Sequence, residues 1–308
     1  MINFRFYLVS IVAVFLALAV GVVMGYGVLG QPTVKGLQSR IDTIGAKAEE
    51  QRVVNDLLSS ELDSANSGVQ SAVPFAATQR LASTRVAVIA ARGVDENAVD
   101  RIVKDFGTSG VSGLDLVWLE ESWRFKSEKS QSTAIRLLGL ESGANKAEIT
   151  QAANTALAER LAFGSSITGS DLLNKLIDSG FVSLGGVGGS TPKPSEVGGA
   201  QAQLALLVQP GHADEVKYFA QAAINKQILL AVAEVFINPS ENVERSSSVT
   251  AILGNEEFKN KISTIDNAET EIGALAVVLA LGDLKNGVVN HLGVGEGSQR
   301  LLPVWWRL

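Results

Sequence analysis

From Tyr7 to Leu29 the chain reads YLVSIVAVFLALAVGVVMGYGVL, 23 residues without a charge. At about 1.5 Å of rise per residue, a helix of this length covers the roughly 30 Å hydrocarbon core of a bilayer, so the pattern predicts a transmembrane helix within residues 1–30. Ala13, Ala17, Gly21 and Gly25 recur at every fourth position and form one smooth stripe, with Gly21 and Gly25 in GxxxG spacing, which predicts pairing with another helix. Ala17-Leu18-Ala19 has the small-x-small form of a leader-peptide cleavage site, but the apolar run continues ten residues beyond it, which favours a retained anchor. A soluble core helix is the third reading, and 23 wholly apolar residues are long for one.

Past Gly30-Gln31-Pro32 the pattern changes to spaced apolar positions among polar ones. With Val34 as an a position, the a and d sites run Val34, Leu37, Ile41, Ile44, Ala48, Gln51, Asn55, Leu58, Leu62, Ala65, Val69 and Ala72. Alternating steps of three and four over this length are the signature of a coiled coil, here spanning 31–72, with Gln51 and Asn55 as a polar layer that selects register. Gly36, Gly45 and Gly68 each weaken the helix by about 1 kcal/mol relative to Ala, and an amphipathic helix folded back on its own domain gives the same spacing. Small residues and Pro74 predict a linker over 73–84.

From residue 85 onward short apolar runs alternate with helical ones. Strands are expected at 85–91, 113–119, 181–184, 204–208, 228–235 and 262–265, and helices near 96–106, 132–140, 146–162, 171–179, 213–224 and 268–284. Alternation of this kind predicts an α/β domain on a mostly parallel sheet over 85–308. A membrane β-barrel needs many segments of strict two-residue alternation, and the chain lacks that pattern.

Composition narrows the chemistry. A net charge of −6 offers no basic field for nucleic acid, so none is expected as a partner. Cysteine is absent, the only histidines are His212 and His291, and the only methionines are Met1 and Met24. Neither histidine has a ligand neighbour at metal-site spacing, so no metal, cofactor or catalytic residue is assigned and an enzyme is not expected. The glycine-rich stretches 185–190 and 293–297 lack GxGxxG and P-loop spacing and read as loops rather than anion cradles. Trp305 and Trp306 either pack back on the domain or anchor a partner or a membrane interface, whereas Trp118 and Trp123 read as a strand end and its cover.

The N-terminal segment FRFYLVSIVAVFLALAVGVVMG, the coil that follows, and ISTIDNAETEIGALAVVLAL with GVGEG and LLP after it together resemble the actinobacterial MctB family. That family is named for copper transport, and the likeness is most specific over 4–30 and 262–303. Overall similarity is greatest to its corynebacterial SteB branch, which implies a role in cell division, a SteA-like membrane partner and control of a peptidoglycan hydrolase. Copper handling by this chain runs against its residues, because thiolate, thioether and imidazole ligands are nearly absent. The resulting expectation is a non-enzymatic, plasma-membrane protein that crosses once and carries its C-terminal bulk outside, forming a homo- or hetero-oligomer through the coil. The alternative is a transport or channel-forming envelope component. Positive charge flanking the apolar helix, Arg5 before it and Lys35, Arg40 and Lys47 after it, does not fix the orientation.

Overall fold

A computed structural model of the chain describes residues 4–25, 31–165, 171–199, 204–209, 213–236 and 247–304. Trp305, Trp306 and His212 lie outside these residues, as does the Val34 side chain. The chain divides into two units, 1–65 and 66–308.

The first unit contains α1 (Phe4–Met24) and most of α2 (Gln31–Ala77). From Arg5 to Met24, α1 is long and apolar enough to cross a membrane. Pro32 stands in the first turn of α2, where its missing N–H breaks no helical bond. The helix runs for 47 residues in all without interruption.

The second unit is an α/β domain. Its strands are β1 (Arg85–Ala91), β2 (Gly113–Leu119), β3 (Val182–Gly185), β4 (Leu204–Gln209), β5 (Leu229–Glu234), β6 (Ser263–Ile265) and β7 (His291–Leu292). They form one sheet in the order β3-β2-β1-β4-β5-β6-β7, parallel throughout except for β3, which runs antiparallel to β2. β1, β4 and β5 are near-continuous runs of Val, Ile, Leu and Ala because both faces of a parallel sheet are covered. Between them lie α3 (Glu96–Thr108), α4 (Glu128–Leu138), α5 (Lys146–Phe163), α6 (Leu172–Asp178), α7 (Ala213–Asn225), α8 (Ser247–Leu253), α9 (Glu256–Lys259) and α10 (Glu271–Lys285).

One face buries Ala87, Ile89, Leu207 and Val232 against α4 to α8, including Leu157, Phe219 and Ile252. The other buries Val86, Val88, Leu206 and Ala233 against α3 and α10. Apart from its two ends, α10 is buried nearly all round, which explains its unbroken run GALAVVLAL. α3 supplies Val99, Ile102 and Phe106 to the cover of α10.

The end of α2 completes that layer and corrects the linker expected at 73–84. Helix continues to Ala77, and Val73, Ala76, Ala77 and Leu81 are buried in the same cluster as α10. Pro74 removes a backbone donor, but burying Val73 and Leu81 at about 1.5–3 kcal/mol each, with Ala76 and Ala77 adding less, offsets the loss. The helix then ends in turns, with Gln79 and Ser83 in the left-handed region (φ 60° and 59°). The Leu81 amide donates to Ser109 O and Lys285 Nζ donates to Ala82 O, tying the turns to α3 and α10.

At the opposite side of the sheet, two ion pairs hold the segment 194–199. Arg160 pairs with Asp171 at 2.5 Å, both buried, and donates to Val197 O and Pro194 O at 2.7 Å. Arg85 pairs with buried Asp115 at 2.6 Å and also donates to Glu196 O, while Gly198 N donates to Asp115 Oδ2 at 3.0 Å.

Because 73–81 belongs to the core, a fragment starting at Asn66 should melt cooperatively and one starting at Arg85 should not. Equal, cooperative thermal unfolding of both fragments by circular dichroism would show that the end of α2 is dispensable.

Candidate functional site

Along α2 the large apolar side chains of the expected seam face outward: Leu37, Ile41, Ile44, Leu58 and Leu62 are 55–67% exposed. Five large aliphatic residues left uncovered on one helix form an unusual surface for a soluble segment. Helical spacing places them with Ala48, Gln51 and Asn55 along one strip. One residue outside the expected seam borders the strip. Val54, three positions after Gln51 and four before Leu58, is exposed, whereas the exposed Val53 and Leu57 lie toward the opposite face of the helix. The strip therefore carries an apolar side chain beside its polar layer, a feature that strict heptad counting from Val34 passes over. Intrahelical pairs Arg52–Glu49 and Arg52–Asp56, at 2.7 and 3.1 Å, stabilise the polar middle of the helix.

In α1, Ala13 and Ala17 are exposed on the same face as Gly21, at which an added Cβ would meet nothing within 4 Å; the same holds at Gly25, just past the end of the helix.

Open α/β sheets bind ligands at the carboxyl ends of their strands, where the strand order reverses. Here the reversal falls between β1 and β4. After β1, Arg92 stacks 4.4 Å from the Trp118 ring centroid, pairs with Glu96 at 2.6 Å and Glu120 at 3.3 Å, and lies 3.4 Å from Ser183 Oγ. Its guanidinium already faces two carboxylates, so it is not a vacant anion site. The expectation of a strand end and its cover for Trp118 and Trp123 fits: Trp118 lies in β2, and Trp123 packs against Phe125 with ring centroids 5.8 Å apart.

Further along the same edge stand Gln209, its register partner Glu234, and Asp266 one step beyond the paired residues Ala233 and Ile265. All three are buried. Glu234 accepts from Ser248 N at 2.9 Å, and Glu269 accepts from Phe236 N at 3.2 Å. Asp266 receives Val294 N, Gly295 N and Ser298 Oγ at 2.6–2.7 Å. Thus the 293–297 stretch is a ring of donors turned on a carboxylate of its own chain. A Cβ at Gly293 (φ +134°) would come 1.8 Å from Asp266 Oδ1, which requires glycine there. Gln209 Oε1, Ser248 Oγ and Asn267 Oδ1 are buried without a hydrogen-bond partner among the described residues.

The 185–190 stretch is a tight hairpin. Val187 N donates to Ser190 O, Ser190 N donates to Val187 O, and Gly188 and Gly189 both have positive φ (61° and 85°). This is the two-residue primed turn that such a glycine pair favours. Its outer amides are committed across the turn.

His291 Nε2 lies 3.1 Å from Lys259 O and Nδ1 lies 3.0 Å from Thr264 Oγ1. A carbonyl only accepts, so Nε2 carries the proton and Nδ1 accepts from the Thr264 hydroxyl. Burial lowers the imidazole pKa and keeps it neutral. Neither ring nitrogen retains a lone pair for a metal. Among the described residues no group of three or more His, Cys, Asp or Glu side chains could hold an ion.

Between α3 and α10, Arg101 pairs with Glu271 at 3.2 Å and donates to Glu269 O at 2.9 Å. Asp105 is buried beside this pair with Oδ2 unpartnered. Burial, with the Glu271 charge adding to it, pushes the Asp105 carboxyl up to about 6, against the pull of Lys104 and Arg101.

These features define an α/β protein with an N-terminal apolar helix, a long helix bearing an uncovered apolar strip, and a sheet whose described carboxyl edge is occupied by its own side chains. The chain belongs to the MctB family: the family model described as "Copper transport outer membrane protein, MctB" matches residues 1–303. Curated relatives named copper transporter MctB, from Mycobacterium bovis and from two strains of Mycobacterium tuberculosis, are each 25% identical over 340 residues, covering 97% of this chain and 98% of theirs.

The native state holds the Asp105 proton more tightly than the unfolded chain does. The favourable contribution is complete below about pH 4 and is lost as pH rises through about 6. Asp105→Asn should therefore raise stability at pH 7.5 by up to about 2 kcal/mol, with the gain vanishing near pH 4. Denaturant titrations of parent and variant at both pH values check this, and parallel pH profiles would show that Asp105 titrates normally. Asp266→Ala removes the acceptor of three donors and should cost about 3–5 kcal/mol in the same assay at neutral pH.

Proposed function

We propose that this chain is a non-enzymatic scaffold of the cell envelope, anchored by α1 as a single span with its C-terminal bulk outside the cytoplasm. In this reading α2 forms a coiled coil with a second copy or with another membrane protein, and the α/β domain regulates what is bound. The resemblance to the SteB branch supplies the setting: a SteA-like partner and control of a peptidoglycan hydrolase during cell division. The observation that carries the reading is the 47-residue α2 with Leu37, Ile41, Ile44, Leu58 and Leu62 uncovered along it. A helix this polar on average, with an apolar strip interrupted by Gln51 and Asn55, matches a coil that selects its partner. The described carboxyl edge of the sheet supports a role other than catalysis, because Arg92, Glu234 and Asp266 already engage groups of the chain itself.

The relatives' name favours a second reading, a component of copper transport. Copper would then be cargo, and this chain's donor set does not suit it. There is no Cys, Met24 is the only methionine besides Met1, and His291 has both nitrogens engaged. A transport role would have to act through a partner that supplies soft ligands.

Ile44→Glu together with Leu58→Glu should convert the full chain in detergent from its assembled form to a monomer in sedimentation. The same pair should abolish recovery of a membrane partner from solubilised envelope, while Asn55→Leu should tighten the coil and broaden what it recovers. Unchanged assembly and unchanged recovery in the double variant would refute the seam. Loss of copper tolerance in cells carrying the double variant, with wall hydrolysis intact, would move the assignment to transport.

A further inference from the structure

Arg101 and Asp105 stand four residues apart on α3, so their side chains share one side of the helix within ion-pair reach of each other. They carry complementary atoms. Arg101 Nε, a donor, and Asp105 Oδ2, an acceptor, are both buried without a hydrogen-bond partner among the described residues. The guanidinium is engaged with the start of α10 instead, where Nη1 donates to Glu271 Oε1 at 3.2 Å and Nη2 to Glu269 O at 2.9 Å. An unmet oxygen in a buried position is tolerated on a neutral carboxyl far better than on an ionised one. The observed arrangement is therefore the one that suits a protonated Asp105.

Glu271 does not depend on Arg101 alone, because it lies in the first turn of α10, where the helix dipole favours a negative charge. The charges that act on Asp105 are Glu271 across the helix interface, and Lys104 and Arg101 on its own helix. Asp283 and Lys285 stand three turns or more further along α10. Arg80, after the end of α2, meets α10 at Gly282 and donates to Ala76 O. Glu269 directs its carboxylate to Phe236 N. Arg101 is thus the cation that both Asp105 and Glu271 can claim.

We propose that Arg101 changes partner with the protonation of Asp105: it holds Glu271 and Glu269 O while Asp105 is neutral, and pairs with Asp105 once that proton has passed to solvent. In the second state the turn before α10 loses its tether to α3. That turn carries Glu269, which accepts from Phe236 N after β5, and Asp266, which holds the donors of 294–298. Burial, with the Glu271 charge adding to it, already holds the Asp105 carboxyl at about 6, so the tethered state is complete in acid and gives way as pH rises through this value. The device is internal to the α/β domain and stands whether or not α2 forms a coil.

Amide hydrogen exchange of the full chain in detergent tests it, expressed as protection so that the intrinsic pH dependence of exchange is removed. Between pH 4.5 and 7.5 protection of the Phe236, Ala268, Thr270 and Gly273 amides, all hydrogen-bonded here, should fall by about tenfold, while β1 and β4 stay level and report an intact fold. Asp105→Asn, which cannot ionise, should keep the high protection at both pH values. Glu271→Gln, which weakens the competing partner and removes a like charge, should move the change to lower pH. The Arg101 Nε–H resonance, assigned by its loss in Arg101→Lys, should shift over the same range in the parent and stay fixed in Asp105→Asn. The switch is overturned if Asp105→Asn keeps the parental pH response, which would assign that response to another group. It is equally overturned if the Arg101 resonance and the four amides are unmoved in the parent, which would assign the two unmet atoms to a bridging water.

Discussion

A parallel sheet has two apolar faces, and each must be covered along its whole length before the domain gains from burying it. One face here is covered conventionally, by α4 to α8. The other lies under α10, a helix so apolar that it needs a cover of its own. α3 supplies part of that cover, and the last turns of α2, with Leu81 after them, supply the rest. The second layer of the domain is thus completed by a segment that, in sequence, is the tail of a long polar helix. This dependence explains why Pro74 does not end the helix and why non-glycine residues accept left-handed backbone at Gln79 and Ser83, each at about 1–2 kcal/mol.

The fold was legible wherever a segment carried its own periodicity. β1 and β2 fall at 85–91 and 113–119, as their apolar runs predict, and α5 and α7 each extend one residue past their expected ends. What the pattern missed was short or contextual. β7 is two residues and α9 four, below the length at which any period shows. The antiparallel sense of β3 depends on where α6 returns the chain, not on the residues of the strand. The end of α2 looked like a linker because Ala, Ser and Pro there are weak local signals. Their burial comes from α10, nearly two hundred residues away in the chain. Of the candidate site residues, the apolar strip of α2 was legible as spacing, while Val54 at its border lay outside a heptad counted from one end. The role of Asp266 was not legible, because its donors come from residues 294–298 across a tertiary contact.

The sheet has the strand order and the switch point of a ligand-binding α/β fold, yet its described carboxyl edge has turned inward. Donors that elsewhere would meet a phosphate meet carboxylates of the chain. The 294–298 donors bind Asp266, the first amide turn of α8 binds Glu234, and Arg92 is held by Glu96 and Glu120. A buried carboxylate with several charge-assisted bonds is stable because each donor offsets part of its desolvation. For an external anion to take such a place it would have to displace a group tethered at high effective concentration. The same edge therefore works better as a rigid frame than as a receptor for anions.

If the domain is the frame, selectivity must reside in surfaces that the chain leaves uncovered, and outside the apolar helix α1 most of the exposed large hydrophobic side chains among the described residues lie on α2. Its middle can be read in two phases. With Asn55 inward, the amide is desolvated and needs a polar group at the same layer of the partner; with Val54 inward, Gln51 and Leu58 remain in step and no such mate is required. A partner lacking a polar layer loses a hydrogen bond in the first phase, about 1–3 kcal/mol for the unsatisfied amide, and meets only an apolar contact in the second. A partner with a matching Asn or Gln gains in the first phase alone. In the proposed coil, one helix would then distinguish two classes of partner by rotation about its own axis, through the exposed apolar Val54 beside the polar Asn55.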